Sequence, residues 1–298
     1  GDRPRPDFAS TCGHSIAGRL ADHRVVPRRA DMNPAALRSG CAVALLVVLS
    51  QTAHADGLEA VQQVLGNSDS SPVPQGWTVG GAAYSGSSPY SAGSTSKLAI
   101  PGGIYIGDRV MYLGDRVFYT FGRQGPVSFF GRLRVRLGNL DPADSPAWTG
   151  MTSRKGQLEA GLGAVVVSPV GLWTTRFSSD VSGRSNGTEL LFNWGAPFVG
   201  DRWMVMPGLG ALWRDQRLAN YYFGGVSQAE AAPGRPAYDV GNAWSFVPSL
   251  TASYRIDPQW VIGMVLSYER FSSTIVNSPL IQKSGRYDAL VGLGYVWR

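Results

Sequence analysis

The sequence predicts an all-β protein: a transmembrane, antiparallel, up-and-down β-barrel of 12 strands, or 10 if one short hairpin merges with its neighbours. Three observations predict it. Apolar residues recur at every second position in segment after segment beyond Gly76, aromatic residues stand at the ends of those apolar rows, and short connectors alternate with long ones. Successive side chains of a strand point to opposite faces, so each row describes one face of one strand. The stretch from 127 to 137 is the clearest case. Val127, Phe129, Leu133, Val135 and Leu137 form a greasy row, while Arg132, Arg134 and Arg136 form the opposite one. Its length matches a tilted strand crossing a bilayer, ~9–11 residues.

The part before the barrel is of a different kind. Residues 1–31 are rich in Arg and Pro and have no period. Met32 to Arg38 is a short basic start, residues 42–49 read AVALLVVL, and Ala53-His54-Ala55 offers a small-x-small cleavage site. That order is a secretory signal peptide over residues 32–55. The apolar run is far shorter than the ~20 residues of a transmembrane helix. We therefore expect 1–31 to lie upstream of the natural start, cleavage near Ala55, a short polar periplasmic lead over 56–75, and the barrel over 76–298.

Cleavage would remove 7 of the 27 basic and 4 of the 21 acidic residues, lowering the formal charge from +6 to +3. Three lysines remain (Lys97, Lys155, Lys283), with no basic run, which argues against nucleic acid as a partner. Both cysteines (Cys12, Cys41) and all three histidines (His14, His23, His54) precede Asp56. The expected mature chain therefore excludes disulfides, thiolate chemistry, His-ligated metal and any His-based general base. No phosphate-binding loop is present, and no cofactor is expected.

The strands follow in order. Trp77–Ala83, Leu98–Ile106, and a short pair at Val110–Leu113 and Val117–Phe121 precede the arginine-bearing strand. Then come the rows Leu158 to Val166, Trp173 to Phe177 and Leu190 to Trp194, followed by Trp203 to Trp213, Trp244 to Tyr254, Trp260 to Tyr268 and Tyr287 to Trp297. Trp203 and Trp213, Trp244 and Tyr254, and Trp260 and Tyr268 bracket their rows, as the two aromatic girdles of an outer-membrane barrel do. Short connectors near 107–109, 122–125, 169–171, 199–202 and 256–259 alternate with long ones at 84–97, 138–156, 182–187, 215–243 and 272–285. Periplasmic turns and extracellular loops divide in that way. A secreted β-sandwich would share the signal peptide and the alternation, but its strands seldom keep six aligned apolar positions.

The opposite rows supply the candidate chemistry. Arg132, Arg134, Arg136, Arg176, Arg214 and Arg255 face the lumen together with Glu159, Glu189, Glu269, Asp180 and Asp288. Two readings stand: an internal salt-bridge plug, since buried arginine needs carboxylate partners, or an anion-favouring constriction. A catalytic carboxylate pair has no spacing to define it. In the 215–243 loop, Tyr221, Tyr222, Phe223 and Tyr238 form either a lid that packs over the barrel mouth or an exposed patch for protein or glycan.

That loop also carries a family resemblance. Asn220-Tyr221-Tyr222-Phe223-Gly224-Gly225-Val226-Ser227-Gln228-Ala229-Glu230, followed by Pro236-Ala237-Tyr238-Asp239-Val240-Gly241, resembles the MipA/OmpV family, the MltA-interacting proteins of Gram-negative outer membranes. Gly80-Gly81 with Tyr84, Gly107-Asp108-Arg109 and Ser278-Pro279-Leu280 resemble that family's first strand, first turn and last long loop. The second glycine at Gly225 and the charged Arg298 depart from the usual pattern. The resemblance implies an outer-membrane location in contact with lipid. It also implies a non-catalytic scaffold that links a murein lytic transglycosylase to a peptidoglycan synthase. A narrow solute channel is the competing expectation.

Overall fold

The computed structural model describes residues 72–138, 140–281 and 283–297, so the expected extension 1–31 and signal peptide 32–55 lie outside the described residues. The wall is built from β1 (Gly76–Gly86), β2 (Ser96–Ile106), β3 (Val110–Tyr112), β4 (Arg116–Gln124), β5 (Val127–Arg136), β6 (Gln157–Ser168) and β7 (Gly171–Asp180). It continues through β8 (Thr188–Gly195), β9 (Phe198–Val199), β10 (Trp203–Arg214), β11 (Ala243–Arg255), β12 (Trp260–Phe271) and β13 (Gly285–Trp297). Each strand pairs antiparallel with its neighbours, and β1 closes the ring on β13 from Trp77↔Trp297 to Gly86↔Asp288. Segments β8 and β9 hold one register against β10, with Gly195 opposite Gly208 and Val199 opposite Met204. Pro197, which has no N–H to donate, separates them. The pair is one wall strand, and the closed barrel has 12.

Closure is what the sequence pattern requires. In hydrocarbon an unpaired backbone group costs several kcal/mol, which drives a membrane sheet to close on itself. At the seam, Gly80 lies opposite Gly294, and a Cβ on Gly80 would collide with the Leu293 carbonyl. Only glycine admits that approach.

Burial follows the period-2 rows. In β5 the three arginines are buried while Phe129 and Leu133 are exposed. In β7 Arg176 is buried between exposed Thr175 and Phe177. Aromatic side chains mark both rims. Trp77 meets Tyr105, and Trp260 meets Tyr295, at ring distances of 5.3 and 5.4 Å on the side of the short turns. Trp213 faces Trp244, and Tyr268 faces Tyr287, on the other side.

Two features depart from an even cylinder. The end of the expected periplasmic lead is not on the surface: Pro72, Val73 and Pro74 are buried, and Val73 joins a lumen cluster with Leu113, Phe118 and Phe130. Strand β3 has only 3 residues, between β2 with 11 and β5 with 10 either side of the β3–β4 hairpin. The hairpin reverses at Leu113-Gly114-Asp115, with Gly114 at φ 76°. It pairs with β2 only at Tyr105 and Ile106. Among the described residues, the edge of β2 from Ser96 to Ile104 has no strand beside it on that side.

The lipid-facing assignment is tested by depth. Leu162, at the middle of β6, is 63% exposed, and Val170, in the turn after it, is 65% exposed. Leu162→Arg is expected to destabilise the barrel in phospholipid vesicles by about 2–4 kcal/mol and Val170→Arg by about 0–1 kcal/mol. Denaturant unfolding of the reconstituted protein measures both, and equal costs would contradict the assignment.

Candidate functional site

The lumen holds a continuous chain of charged groups. It starts at the hairpin tip, where Arg116 donates to both oxygens of Asp115 at 2.9 and 3.0 Å. Asp115 also lies 3.4 Å from Arg134, which in turn lies 3.9 Å from Glu159. Glu159 accepts from Arg136, and Arg136 reaches Glu189 at 3.0 Å. Glu189 is the hub: Arg176 and Arg214 also donate to it, at 3.0 and 3.1 Å. Arg214 bridges to Glu269 at 2.6 Å, and Glu269 accepts from Arg286 at 2.9 Å. The chain thus ties β4, β5, β6, β7, β8, β10, β12 and β13 together, with every member less than a tenth exposed.

Strand parity places most of the expected residues there. Arg134, Arg136, Arg176, Arg214, Glu159, Glu189 and Glu269 come together. Arg132 is buried beneath them, 5.7 Å from the Phe118 ring. Asp288 faces the lumen but accepts from the Tyr84 hydroxyl at 2.6 Å. Arg255 is buried at the turn end of β11. Asp180 differs. It ends β7, half-buried, and its carboxylate accepts from the backbone N–H groups of Ser182, Ser185 and Asn186, bonds that fold the 181–187 loop. Three members were not foreseen. Asp115 belongs to a turn where no strand parity applies, and Arg116 is the first residue of β4, one position before the expected start of that strand. Arg286 lies on the same row as Asp288, one position before the expected start of the last strand.

Above this layer four loops build a second hydrophobic core. Tyr90, Trp148, Leu218, Tyr222, Phe223 and Ile281 are all buried in it, each from a connector on the long-loop side. The loop after β10 contributes most. Asp215 caps α1 (Gln216–Tyr222) by accepting from the Leu218 N–H. Phe223 ends the helix, and Gly224 follows at φ 100°, the left-handed conformation glycine tolerates. A Cβ on Gly224 would also collide with Ser278, whose hydroxyl donates to the Gly224 carbonyl at 2.6 Å. From there Phe223 lies over two guanidiniums of the charged layer, 4.0 Å from Arg214 and 5.6 Å from Arg286. Tyr222 lies 5.5 Å from Arg136, and its hydroxyl donates to the Lys155 carbonyl at 2.7 Å.

Tyr221 and Tyr238 are only partly buried. Tyr221 accepts from the Lys155 N–H at 3.0 Å and lies 5.6 Å from the Arg154 guanidinium, while Tyr238 donates to the Thr274 carbonyl in α2 (Ser273–Val276) at 2.7 Å. Glu230 joins two loops. Its carboxylate accepts from the Ser227 and Thr152 N–H groups and pairs with Arg154 at 2.9 Å. Burial pushes its pKa up, but these donors and the arginine prevail and hold it at about 2. Beside Tyr221, Tyr238 and Arg217 lies an outward-facing depression of about 550 Å³.

Residues 79–297 match the family described as MltA-interacting protein MipA. The MltA-interacting protein of Escherichia coli K12 is 26% identical over 148 residues, covering 50% of this chain and 59% of that protein. The outer membrane protein Omp26La of Vibrio anguillarum is 28% identical over 173 residues, 58% of this chain and 66% of its own. The chain thus spans about three fifths of the length of the first curated relatives it matches. A putative outer membrane protein, YiaT of E. coli O157:H7, is 26% identical over 221 residues, 73% and 88% of the two chains. Among solved structures, the CymD monoaromatic hydrocarbon channel shares 11% identity at a TM-score of 0.36, covering 81% of this chain and 94% of its own. That likeness is too remote to say what this chain carries. With the family match running through the whole described barrel and relatives named as outer membrane proteins, the chain belongs to the MltA-interacting protein MipA family and is an outer-membrane β-barrel.

Proposed function

We propose that this barrel is a sealed, non-catalytic binding protein that holds murein-remodelling enzymes at the outer membrane. One observation carries the sealed reading: the arginine–carboxylate chain crosses the lumen and lies directly beneath the rings of Tyr222 and Phe223. A hydrated solute would have to separate charge pairs that burial makes costly to break. With the path from one mouth to the other closed, the surfaces left for a protein partner are the two rims. The partner class comes from the family: a relative is named for interaction with MltA, and we place a murein lytic transglycosylase, with a peptidoglycan synthase, on the periplasmic rim. Val170 and Ile256 are exposed apolar side chains on two of its short turns and are the contacts we assign. Tyr221, Tyr222, Phe223 and Tyr238 act as the lid.

The channel reading keeps one supporting feature. Among the described residues the lumen buries eight arginines against five carboxylates, an excess that would favour anions if a path were open. Planar-bilayer recording separates the two. The sealed barrel is expected to show no steady conductance, whereas anion-selective conductance abolished by Arg134→Ala would overturn it.

Removing the hub should show in stability. Glu189→Ala leaves Arg136, Arg176 and Arg214 without their shared carboxylate and is expected to cost about 3–5 kcal/mol in denaturant unfolding. The scaffold reading is tested by immobilising the protein in nanodiscs and measuring retention of a soluble murein transglycosylase. Val170→Asp with Ile256→Asp should weaken it about tenfold or more. No retention by the parent protein would remove this reading.

The lid carries a pH signature through Glu230. Its folded pKa lies below the unfolded value, so its contribution is complete above about 4.3 and is lost as pH falls toward 2. Amide protection in the loop from 215 to 242, taken relative to the intrinsic exchange rate at each pH, is therefore expected to fall across that window. In Glu230→Gln protection should already be low at neutral pH, and pH-independent protection would contradict the assignment.

A further inference from the structure

The lumen is not charged throughout. Toward the turn side, on the arc formed by β11, β12, β13, β1 and β2, lies a cavity of about 230 Å³ lined without a single charged residue. Ile100, Ile104, Leu113, Val261, Val265 and Leu290 are among its larger side chains, with Val73 from the lead, and Thr78, Thr251 and Ser253 supply its side-chain polar groups. An apolar void inside the lumen of an outer-membrane barrel is unexpected, because that interior is ordinarily polar. An enclosed apolar cavity of ~150 Å³ binds benzene, and this half-open one has room for a larger hydrocarbon.

Its position says where such a ligand comes from. The cavity reaches the edge of β2 at Ile100 and Ile104 and the tip of the β3–β4 hairpin at Leu113 and Gly114. Those two elements border the interruption in the wall left by the three-residue β3, beside the β2 edge from Ser96 to Ile104. Pro101, which could not donate to a neighbouring strand, sits in the middle of that edge. The outward side chains of this edge, Ala99 and Pro101, are exposed and uncharged, and the lining from Ile100 to Gly114 carries no charge; the charged chain begins one residue further on, at Asp115.

We propose that the cavity takes a linear acyl chain, entering sideways from the bilayer between β2 and the β3–β4 hairpin rather than from either aqueous mouth. A membrane phospholipid and a free fatty acid present the same hydrocarbon, and either can supply it. The proposal is independent of the scaffold reading: an acyl site beneath the charged layer holds whether or not the rim binds an enzyme.

The test uses the full chain in vesicles of dioleoylphosphatidylcholine. One arm contains palmitic acid bearing a diazirine in its chain, and a second contains phosphatidylethanolamine esterified with that same acid. Saturable labelling of Val261, Val265 or Leu290, competed by unlabelled palmitate, is the expected result, and the arm that labels identifies the source. Gly263 faces the cavity, and a Cβ there would meet nothing closer than the Ala252 carbonyl at 3.9 Å. Gly263→Leu should therefore fold and cut labelling about tenfold, the effect of displacing roughly two methylenes. Thr251→Leu, from the neighbouring strand, serves as the second filling variant. Labelling confined to outward residues such as Val291 and Tyr295, or unchanged in both variants that retain heat-modifiable β structure, would overturn the proposal.

Discussion

Backbone pairing across the β1–β13 seam is the constraint from which the rest follows. Ten registered pairs, from Trp77↔Trp297 to Gly86↔Asp288, convert a sheet into a ring. Hydrocarbon offers no hydrogen bonds to an open edge, so the ring is the only arrangement in which these rows of Leu, Val and Phe can face lipid. Once the outer row is committed to lipid, the period of two commits the inner row to the lumen. A residue moved by one position would change sides. The three arginines of β5 are therefore buried because Phe129, Leu133 and Val135 must not be.

Burying those arginines then dictates what stands opposite them. A guanidinium away from water needs carboxylate oxygens at hydrogen-bond distance, and the neighbouring strands supply them in register: Arg134 lies across from Glu159, and Arg136 reaches on to Glu189. Glu189 serves three arginines from three strands, which fixes the relative height of those strands more tightly than a set of separate pairs would. The aromatic cap completes the arrangement. Phe223 over Arg214 covers the charged layer with a ring whose π-face favours a cation, and the same residue packs edge-on to Phe271 at the rim of β12. The cap core and the charged layer are thus one structure seen from two sides.

Much of this was legible in the sequence, and the limits were physical. Alternation identified the wall strands and assigned Arg176, Arg214, Glu159 and Glu189 to the lumen, because parity alone decides the face of a regular strand. It was silent where parity lapses. Asp115 sits at a turn, so no row points to it, and Arg116 stands one position before the expected start of its strand. Asp180 keeps the inward parity of Arg176 and Ser178, yet as the last residue of β7 its side chain is captured by the N–H groups of the following loop. The cap residues Tyr90, Trp148, Ile275 and Leu280 come from irregular connectors, and irregular segments leave no period to read. The burial of Val73 had no local signal either, since it depends on where the lead enters the ring.

One short element accounts for both unusual parts of the interior. Because β3 stops at Tyr112, the turn that follows lies beside the middle of the wall instead of at its extracellular rim. There the Asp115 carbonyl accepts from the Val135 N–H at 2.9 Å, and its carboxylate comes within reach of Arg134. A full-length β3 would carry that carboxylate to the rim and leave Arg134 with only the 3.9 Å approach to Glu159. Among the described residues, the same shortening leaves the β3-facing edge of β2 without a paired strand above Tyr105, on the arc whose inward rows include Gly80, Gly102, Gly263, Gly292 and Gly294. Arginines fill the lumen on the β4–β10 side. Glycines cannot fill it on the other, so the void and the gap in the wall fall together.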